Sequence, residues 1–195
     1  MNTGTLELDV TSKPWPWLGI VAVFVVAALQ LRNQGRSWLC SCGQFFLWAG
    51  DIWSAHNSQH LLDPYSFTHV LHGFVLCWLL ALCIPRAPWA WRLCLALSLE
   101  AVWEVFENTE FVIQRYRDAT AALGYHGDAI VNSLGDILIC GIGFMIARQL
   151  RFWRSLLVFV VMELALIVWI RDSLILEVLM LIYPVDAIKE WQIGH

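Results

Sequence analysis

Five largely apolar stretches, at 15–31, 68–84, 91–115, 129–148 and 152–170, each approach the length of a bilayer-crossing helix, which is about 20 residues. No other feature restricts the fold as strongly. A helix crossing lipid must satisfy its backbone N–H and C=O groups within itself, so long apolar runs commit the chain to a bundle of helices. A sixth run, 173–185, is shorter and broken by Pro184, which suits either a short span or a segment lying at the interface. Composition agrees. Hydrophobic residues make up 59% of the 195, charged residues 14%, and the mean hydropathy is +0.62. A soluble domain is closer to half apolar and one quarter charged, and a chain this short cannot bury such an excess. The expected fold is all-α: a polytopic membrane helix bundle of five to six transmembrane helices, forming one integral-membrane domain over 1–195.

Many of the twelve tryptophans stand at the ends of the apolar runs, among them Trp15, Trp17, Trp38, Trp53, Trp89, Trp91, Trp153, Trp169 and Trp191. That is where an aromatic belt meets the headgroups. Arginines follow the second run (Arg86, Arg92) and lie between the fourth and fifth (Arg148, Arg151, Arg154). Short basic loops stay cytoplasmic, and both loops fall on one side when the spans are counted. The expected location is the bacterial inner membrane with the N-terminus cytoplasmic and the 32–67 and 116–128 segments facing outward, although Arg32 and Arg36 argue the other way. Residues 1–13 carry Glu7 and Asp9 and lack a basic start followed by a cleavage site, so the first helix is expected to remain. The net charge of -4 and the absence of a basic run argue against nucleic-acid binding.

The segment at about 37–67 is too polar to span and too aromatic for a solvated linker, which predicts an interfacial or re-entrant segment. Of the six cysteines, Cys77, Cys83, Cys94 and Cys140 lie inside apolar runs and read as small buried hydrophobes. Cys40 and Cys42 are expected to be accessible. A disulfide across one residue is strained, so soft metal ligation suits the pair better than redox chemistry.

Ionisable groups in membrane segments are costly and mark either a function or a partnered pair. Asp51, His56, His60 and Asp63 precede His69 and His72. Spacings of three and four place Glu100, Glu104 and Glu107 on one stripe of the third helix, beside Asn108, and a spacing of four places Asp128, Asn132 and Asp136 on one stripe of the fourth. The topology brings these stripes to similar depth. Imidazole with carboxylate suits zinc, iron or manganese, so the expected cofactor is a divalent metal held by His56, His60, His69 and His72. Glu104, Glu107 and Asp128 are the candidate catalytic carboxylates, with Glu104 or Glu107 as general base. The plainer alternative is that these groups bond one another and hold the helices together. Gly135, Gly141 and Gly143 are expected to admit close neighbours, Glu163 to partner an adjacent helix or the interface, and Arg115 and Arg117 either to bind an anionic headgroup or to form an ordinary salt-bridged helix end. Ser58 has no nucleophile elbow around it.

The run Asp51-Ile-Trp-Ser-Ala-His-Asn-Ser-Gln-His-Leu-Leu-Asp-Pro-Tyr-Ser-Phe-Thr-His-Val-Leu-His-Gly73, with Trp103-Glu-Val-Phe-Glu-Asn108 and Leu179-Met-Leu-Ile-Tyr-Pro-Val-Asp-Ala-Ile-Lys-Glu-Trp191, resembles a family of bacterial multi-pass inner-membrane proteins of unassigned function. The likeness covers most of the chain after the first helix. A more distant likeness is to the VanZ-like membrane proteins, through the His69/His72 region, Glu100 to Glu107, and Asp128, Asn132 and Gly135. It implies a similar fold and an association with the cell envelope. The expected function is a metal-assisted membrane enzyme acting on a lipid or lipid-linked envelope substrate at the outer face. The alternative is a non-enzymatic accessory subunit or assembly factor of a larger membrane complex. Membrane lipid is the expected partner in either case, and a transporter would need the polar stripe to continue past Glu100 and Asp136 into apolar sequence.

Overall fold

The computed structural model describes residues 14–120 and 124–194. Residues 1–13, on which the expectation of an uncleaved start rests, lie outside the described residues. Eight helices and no strand occur among the described residues: α1 Trp15–Asn33, α2 Ser66–Cys83, α3 Trp89–Glu107, α4 Glu110–Ala119, α5 Ile130–Gln149, α6 Phe152–Ile170, α7 Leu174–Ile182 and α8 Asp186–Ile193.

Four of them, α1, α2, α5 and α6, are long and apolar enough to cross a membrane. The third predicted helix, 91–115, is two elements. α3 ends at Asn108, and Thr109 starts α4 by accepting a hydrogen bond from the Val112 N–H, with Glu110 in the first turn where the helix dipole favours an acid. α3 has 19 residues but carries Arg92, Glu100, Glu104 and Glu107, which keeps it outside the apolar set. The sixth run does not yield a span. α7 has 9 residues, about 13.5 Å of helix against a hydrocarbon core of about 30 Å. Pro184 separates it from α8.

α2 and α5 form the centre. A Cβ on Gly73 would collide with the Cys140 carbonyl and the Phe144 backbone, and one on Gly143 would collide with the Val70 carbonyl. The two backbones therefore meet through reciprocal glycines, the arrangement by which helices in lipid gain packing contact. Phe74, Leu97, Ile137 and Phe144 fill the core around this crossing. α1 and α6 lie outside and turn Leu18, Val21, Val25, Leu157, Val161, Leu164 and Val168 outward. Such apolar surface on both flanks suits lipid better than water.

The ends of the bundle differ. At one end the Arg148 guanidinium stacks 4.5 Å from the Trp89 ring centroid, joining the end of α5 to the start of α3. At the other end, the irregular 34–65 segment lies on the start of α5. The Ile130 and Val131 N–H groups donate to the Ser37 and Trp38 carbonyls at 2.8 and 3.2 Å, and the Ala129 N–H donates to the Ser58 carbonyl at 2.9 Å. These bonds supply partners for amides that a helix start leaves unpaired. Gly135 lets the Leu61 backbone approach α5 a turn further in. Of the glycines predicted to admit neighbours, Gly135 and Gly143 do so against backbone, and Gly141 faces the Leu97 side chain.

Candidate functional site

Ser66, His69, His72 and Gly73 recur at helical spacing on α2, so one face of that helix carries both imidazoles to α3 and its glycine to α5. His69 Nδ1 lies 2.6 Å from Glu100 Oε1, and His72 Nδ1 lies 2.9 Å from the same oxygen and 3.1 Å from Oε2. A carboxylate only accepts hydrogen bonds, so both rings present a protonated Nδ1 to Glu100, and in the neutral ring Nε2 is the nitrogen left to accept or ligate. His69 Nδ1 is also 3.3 Å from Glu104 Oε1, while its Nε2 faces Asp136 Oδ2 at 4.0 Å. Glu104 is 1% exposed, and its Oε1, although close to His69, makes no hydrogen bond of acceptable geometry.

Around this centre the polar groups are interlocked. The Ser66 hydroxyl donates to Asp136 Oδ1 at 2.7 Å, and the Asp63 N–H donates to Ser66 Oγ at 3.2 Å. Asp63 accepts from the Ser58 and Tyr65 amides at 2.9 and 2.8 Å and from Asn132 at 3.4 Å. Burial pushes the Asp63 carboxyl up, against these bonds and the His69 imidazole. Asn108, at the break between α3 and α4, donates to Asp128 Oδ2 at 2.8 Å and accepts from the Asp128 N–H at 2.7 Å. Tyr125 donates its hydroxyl to Asp128 Oδ1 at 3.0 Å. Burial raises the Asp128 carboxyl, while the Asn108 and Tyr125 bonds pull it down. Tyr116 and Trp103 hydrogen-bond Glu107.

A cavity of about 770 Å³ opens among these groups. Its lining includes His69, His72, Asp63, Glu107, Asp128, Asp136, Asp172 and Glu177, and among the described residues Arg36 is its single guanidinium or ammonium group. Arg36 is itself engaged with the His126 carbonyl. With Asp63, Asp128, Asp136 and Asp172 all buried, such an excess of carboxylate calls for bound protons or a cation.

The four predicted metal-ligating histidines fall into two groups. His69 and His72 gather with Glu100, and His69 also gathers with Glu104 and Asp136. His56 and His60 gather instead with Cys40 and Cys42. In that second group His56 Nδ1 is 3.0 Å from His60 Nε2, and burial, with His56 alongside, lowers the His60 pKa. Cys40 is buried and not accessible as its sequence context suggested, and Cys83 is exposed.

Glu104, Glu107 and Asp128 all belong to the polar network, with Glu107 and Asp128 lining the cavity. Ser66, Tyr65, Tyr125, Asp172 and Glu177 join it without having been singled out from sequence. Ser66 was legible as the residue one turn before His69, whereas Asp172 and Glu177 arrive through the folding back of α7, which no local spacing announces. Arg115 and Arg117 do not face an open anion site. Arg115 donates to the Leu181 and Ile182 carbonyls, and Arg117 to the Tyr125 carbonyl, so both tie α4 to neighbouring backbone, and neither makes the salt-bridged helix end expected as the alternative. Glu163 accepts the Ile175 N–H at 3.4 Å and so partners the start of α7.

Fold and site together define an all-helical protein with membrane-compatible helices enclosing a carboxylate- and histidine-rich cavity. Residues 31–194 match the family model described as "Protein of unknown function (DUF2585)", and the chain belongs to that family. It is 44% identical over 177 residues to a UPF0314 protein of Rhizobium meliloti (strain 1021), covering 91% of this chain and 90% of the relative. It is 42% identical over 183 residues to a UPF0314 protein of Paracoccus denitrificans (strain Pd 1222), covering 93% and 94%. A UPF0314 protein of Rhizobium etli (strain CFN 42) is 40% identical over 194 residues and matches end to end. These matches carry no VanZ description. No solved structure matches the chain.

Proposed function

We propose that this protein is a metal-assisted enzyme of the bacterial inner membrane, acting on a lipid or lipid-linked substrate that enters the cavity at the outer face. The observation that carries this reading is the pair His69 Nε2 and Asp136 Oδ2, 4.0 Å apart. That gap is too wide for a hydrogen bond and within reach of two metal–ligand bonds of about 2.1 Å each.

His69, Asp136 and Glu104 would hold the metal, and His72 stands next to them. Glu100 orients both imidazoles through Nδ1, the role that carboxylates commonly play behind metal-bound histidines. A bound divalent metal supplies Lewis acidity toward a phosphoryl or carbonyl oxygen and a more acidic bound water. Glu107 and Asp128 stand at the cavity wall to take or deliver a proton. On this reading α3 is a fifth span, its acids facing inward, and the 34–65 segment dips toward the bilayer from the outer face. The arginines at the opposite end then lie in the cytoplasm with the N-terminus.

The test is turnover. Wild type and Glu107→Gln are reconstituted in nanodiscs made from bacterial inner-membrane lipid extract, supplied in turn with Zn²⁺, Mn²⁺ and Fe²⁺, and products are followed by mass spectrometry. The reading expects a metal-dependent product that Glu107→Gln reduces at least tenfold; no metal-dependent product from wild type with any of the three ions contradicts it.

One observation favours an accessory subunit instead. Trp38, Leu39, Phe45, Leu47, Trp48 and Trp53 are all exposed on the 34–65 segment, a surface suited to a membrane protein complex. A stable larger assembly purified with no bound metal would favour that reading.

A further inference from the structure

We propose that Cys40, Cys42, His56 and His60 form a second metal site, a structural site of zinc type that pins the 34–65 segment over the cavity and is separate from the His69 centre. One donor atom from each of the four residues lies within 4.8 Å of the others. His56 Nδ1 is 3.0 Å from His60 Nε2, and Cys40 Sγ is 4.0 Å from His56 Nδ1. Tetrahedral zinc with bonds of about 2.0–2.1 Å to nitrogen and 2.3 Å to sulfur sets nitrogens about 3.3 Å apart and a sulfur about 3.6 Å from a nitrogen. The nitrogen–nitrogen and sulfur–nitrogen spacings fall on either side of those values, and the two sulfurs must separate from each other before both can bind an ion.

The backbone around the sulfurs is arranged for thiolates. The Cys42 N–H donates to Cys40 Sγ at 3.2 Å, and the Gln44 N–H donates to Cys42 Sγ at 3.4 Å. N–H groups aimed at sulfur favour its anionic form, which is the metal ligand. Two thiolates with two imidazoles make a donor set for zinc and not for magnesium or calcium. The structure holds Cys40 and Cys42 paired as a disulfide. That pairing and the metal use the same sulfurs, so each excludes the other, and the metal belongs to the dithiol form.

His60 has a definite consequence. Its Nδ1 accepts from the Phe46 N–H at 3.2 Å, so the ring proton sits on Nε2, between the two imidazoles. Ligation through Nε2 moves that proton to Nδ1 and releases the Phe46 amide, which lies in an exposed part of the segment where water replaces the bond. Four protein ligands leave no open coordination position, so this metal holds structure and does no chemistry. What it holds is the cavity roof. Asn57, Ser58 and Gln59, between the two histidines, all line the cavity. Ser58 has φ of 61°, a conformation that costs a non-glycine residue energy and needs its surroundings to hold it.

The test is Co²⁺ titration of the full chain in detergent, kept reduced, read by absorption. A thiolate-to-cobalt charge-transfer band with the strong visible bands of tetrahedral cobalt, saturating at one equivalent and displaced by Zn²⁺, is expected. His69→Ala/His72→Ala keeps those bands, because the other site has no sulfur. Cys40→Ser/Cys42→Ser removes them, and His56→Ala/His60→Ala removes or shifts them. Reduced wild type without a thiolate band overturns the proposal, and that measurement needs no variant to fold. Bands left unchanged by His56→Ala/His60→Ala overturn it as well.

Discussion

Glu100 accepts from His69 and His72 at once, the two Nδ1 atoms lying 2.6 and 2.9 Å from its Oε1. A single carboxylate thereby ties α2 to α3 and sets the tautomer of both rings. Glu100→Ala strands two buried donors, and breaking a buried charged pair by removing one partner costs about 3–5 kcal/mol. Denaturant or thermal unfolding in detergent checks this. In a double-mutant cycle with His69→Ala the two losses are expected to be less than additive, with a coupling of about 0.5–3 kcal/mol. Strict additivity would show that the contact carries no energy.

The α2–α5 crossing gives a sharper contrast between glycines. A methyl on Gly143 has to displace the Val70 carbonyl, whereas one on Gly124 meets nothing. Gly143→Ala is expected to destabilise by about 1–3 kcal/mol, and Gly124→Ala to stay within about 0.5 kcal/mol. Equal melting temperatures for the two variants would mean that the helices do not approach as described.

Asp172 stands between α6 and α7, where burial, with Glu163 adding repulsion, pushes its carboxyl up to about 7 against hydrogen bonds from Ser173, Tyr65 and Gln192. The same group titrates at about 3.9 in an unfolded chain. Between those values the folded protein holds a proton that the unfolded chain has lost. Stability therefore falls as pH rises through that window and levels off above about 7. Asp172→Asn removes this contribution. Melting temperatures measured from about pH 5 to pH 8 are expected to decline less steeply in the variant, and an unchanged slope would assign the pH dependence to other groups.

Much of this arrangement was legible in the sequence. Helical spacing placed His69 with His72 and put Glu100 with Glu104, and the depth argument brought Asp136 to them. His56 and His60 were grouped from sequence with His69 and His72, and the structure sets the two pairs apart. The first pair belongs with Cys40 and Cys42 through the path of an irregular segment that has no periodicity to read. The helix break at Asn108 was missed, because the run 91–115 was read by its apolar length alone, and the Thr109 cap that starts α4 is a local side-chain contact. Nothing local announced that α7 would fold back to bring Asp172 and Glu177 to the cavity, because that placement depends on contacts distant in the chain, such as Arg115 with the Leu181 and Ile182 carbonyls.

Asn108 offers a separate test of the α3–α4 break. Its two bonds to Asp128 hold the start of α5 against the end of α3. Asn108→Ala leaves the buried Asp128 carboxylate and amide short of partners and is expected to cost about 1–3 kcal/mol, read as a fall in melting temperature. Asn108→Asp is expected to cost more, because it sets a second carboxylate against Asp128. A milder effect from the aspartate would contradict the clamp.

The central claim is that His69 and its neighbours hold a metal. Metal content of wild type and His69→Ala/His72→Ala, purified in mild detergent without chelator and measured by mass spectrometry, tests it most directly. The account predicts that the variant carries about one equivalent less metal per chain than wild type while remaining folded. Equal metal content in the two proteins, or metal-free wild type, would contradict it.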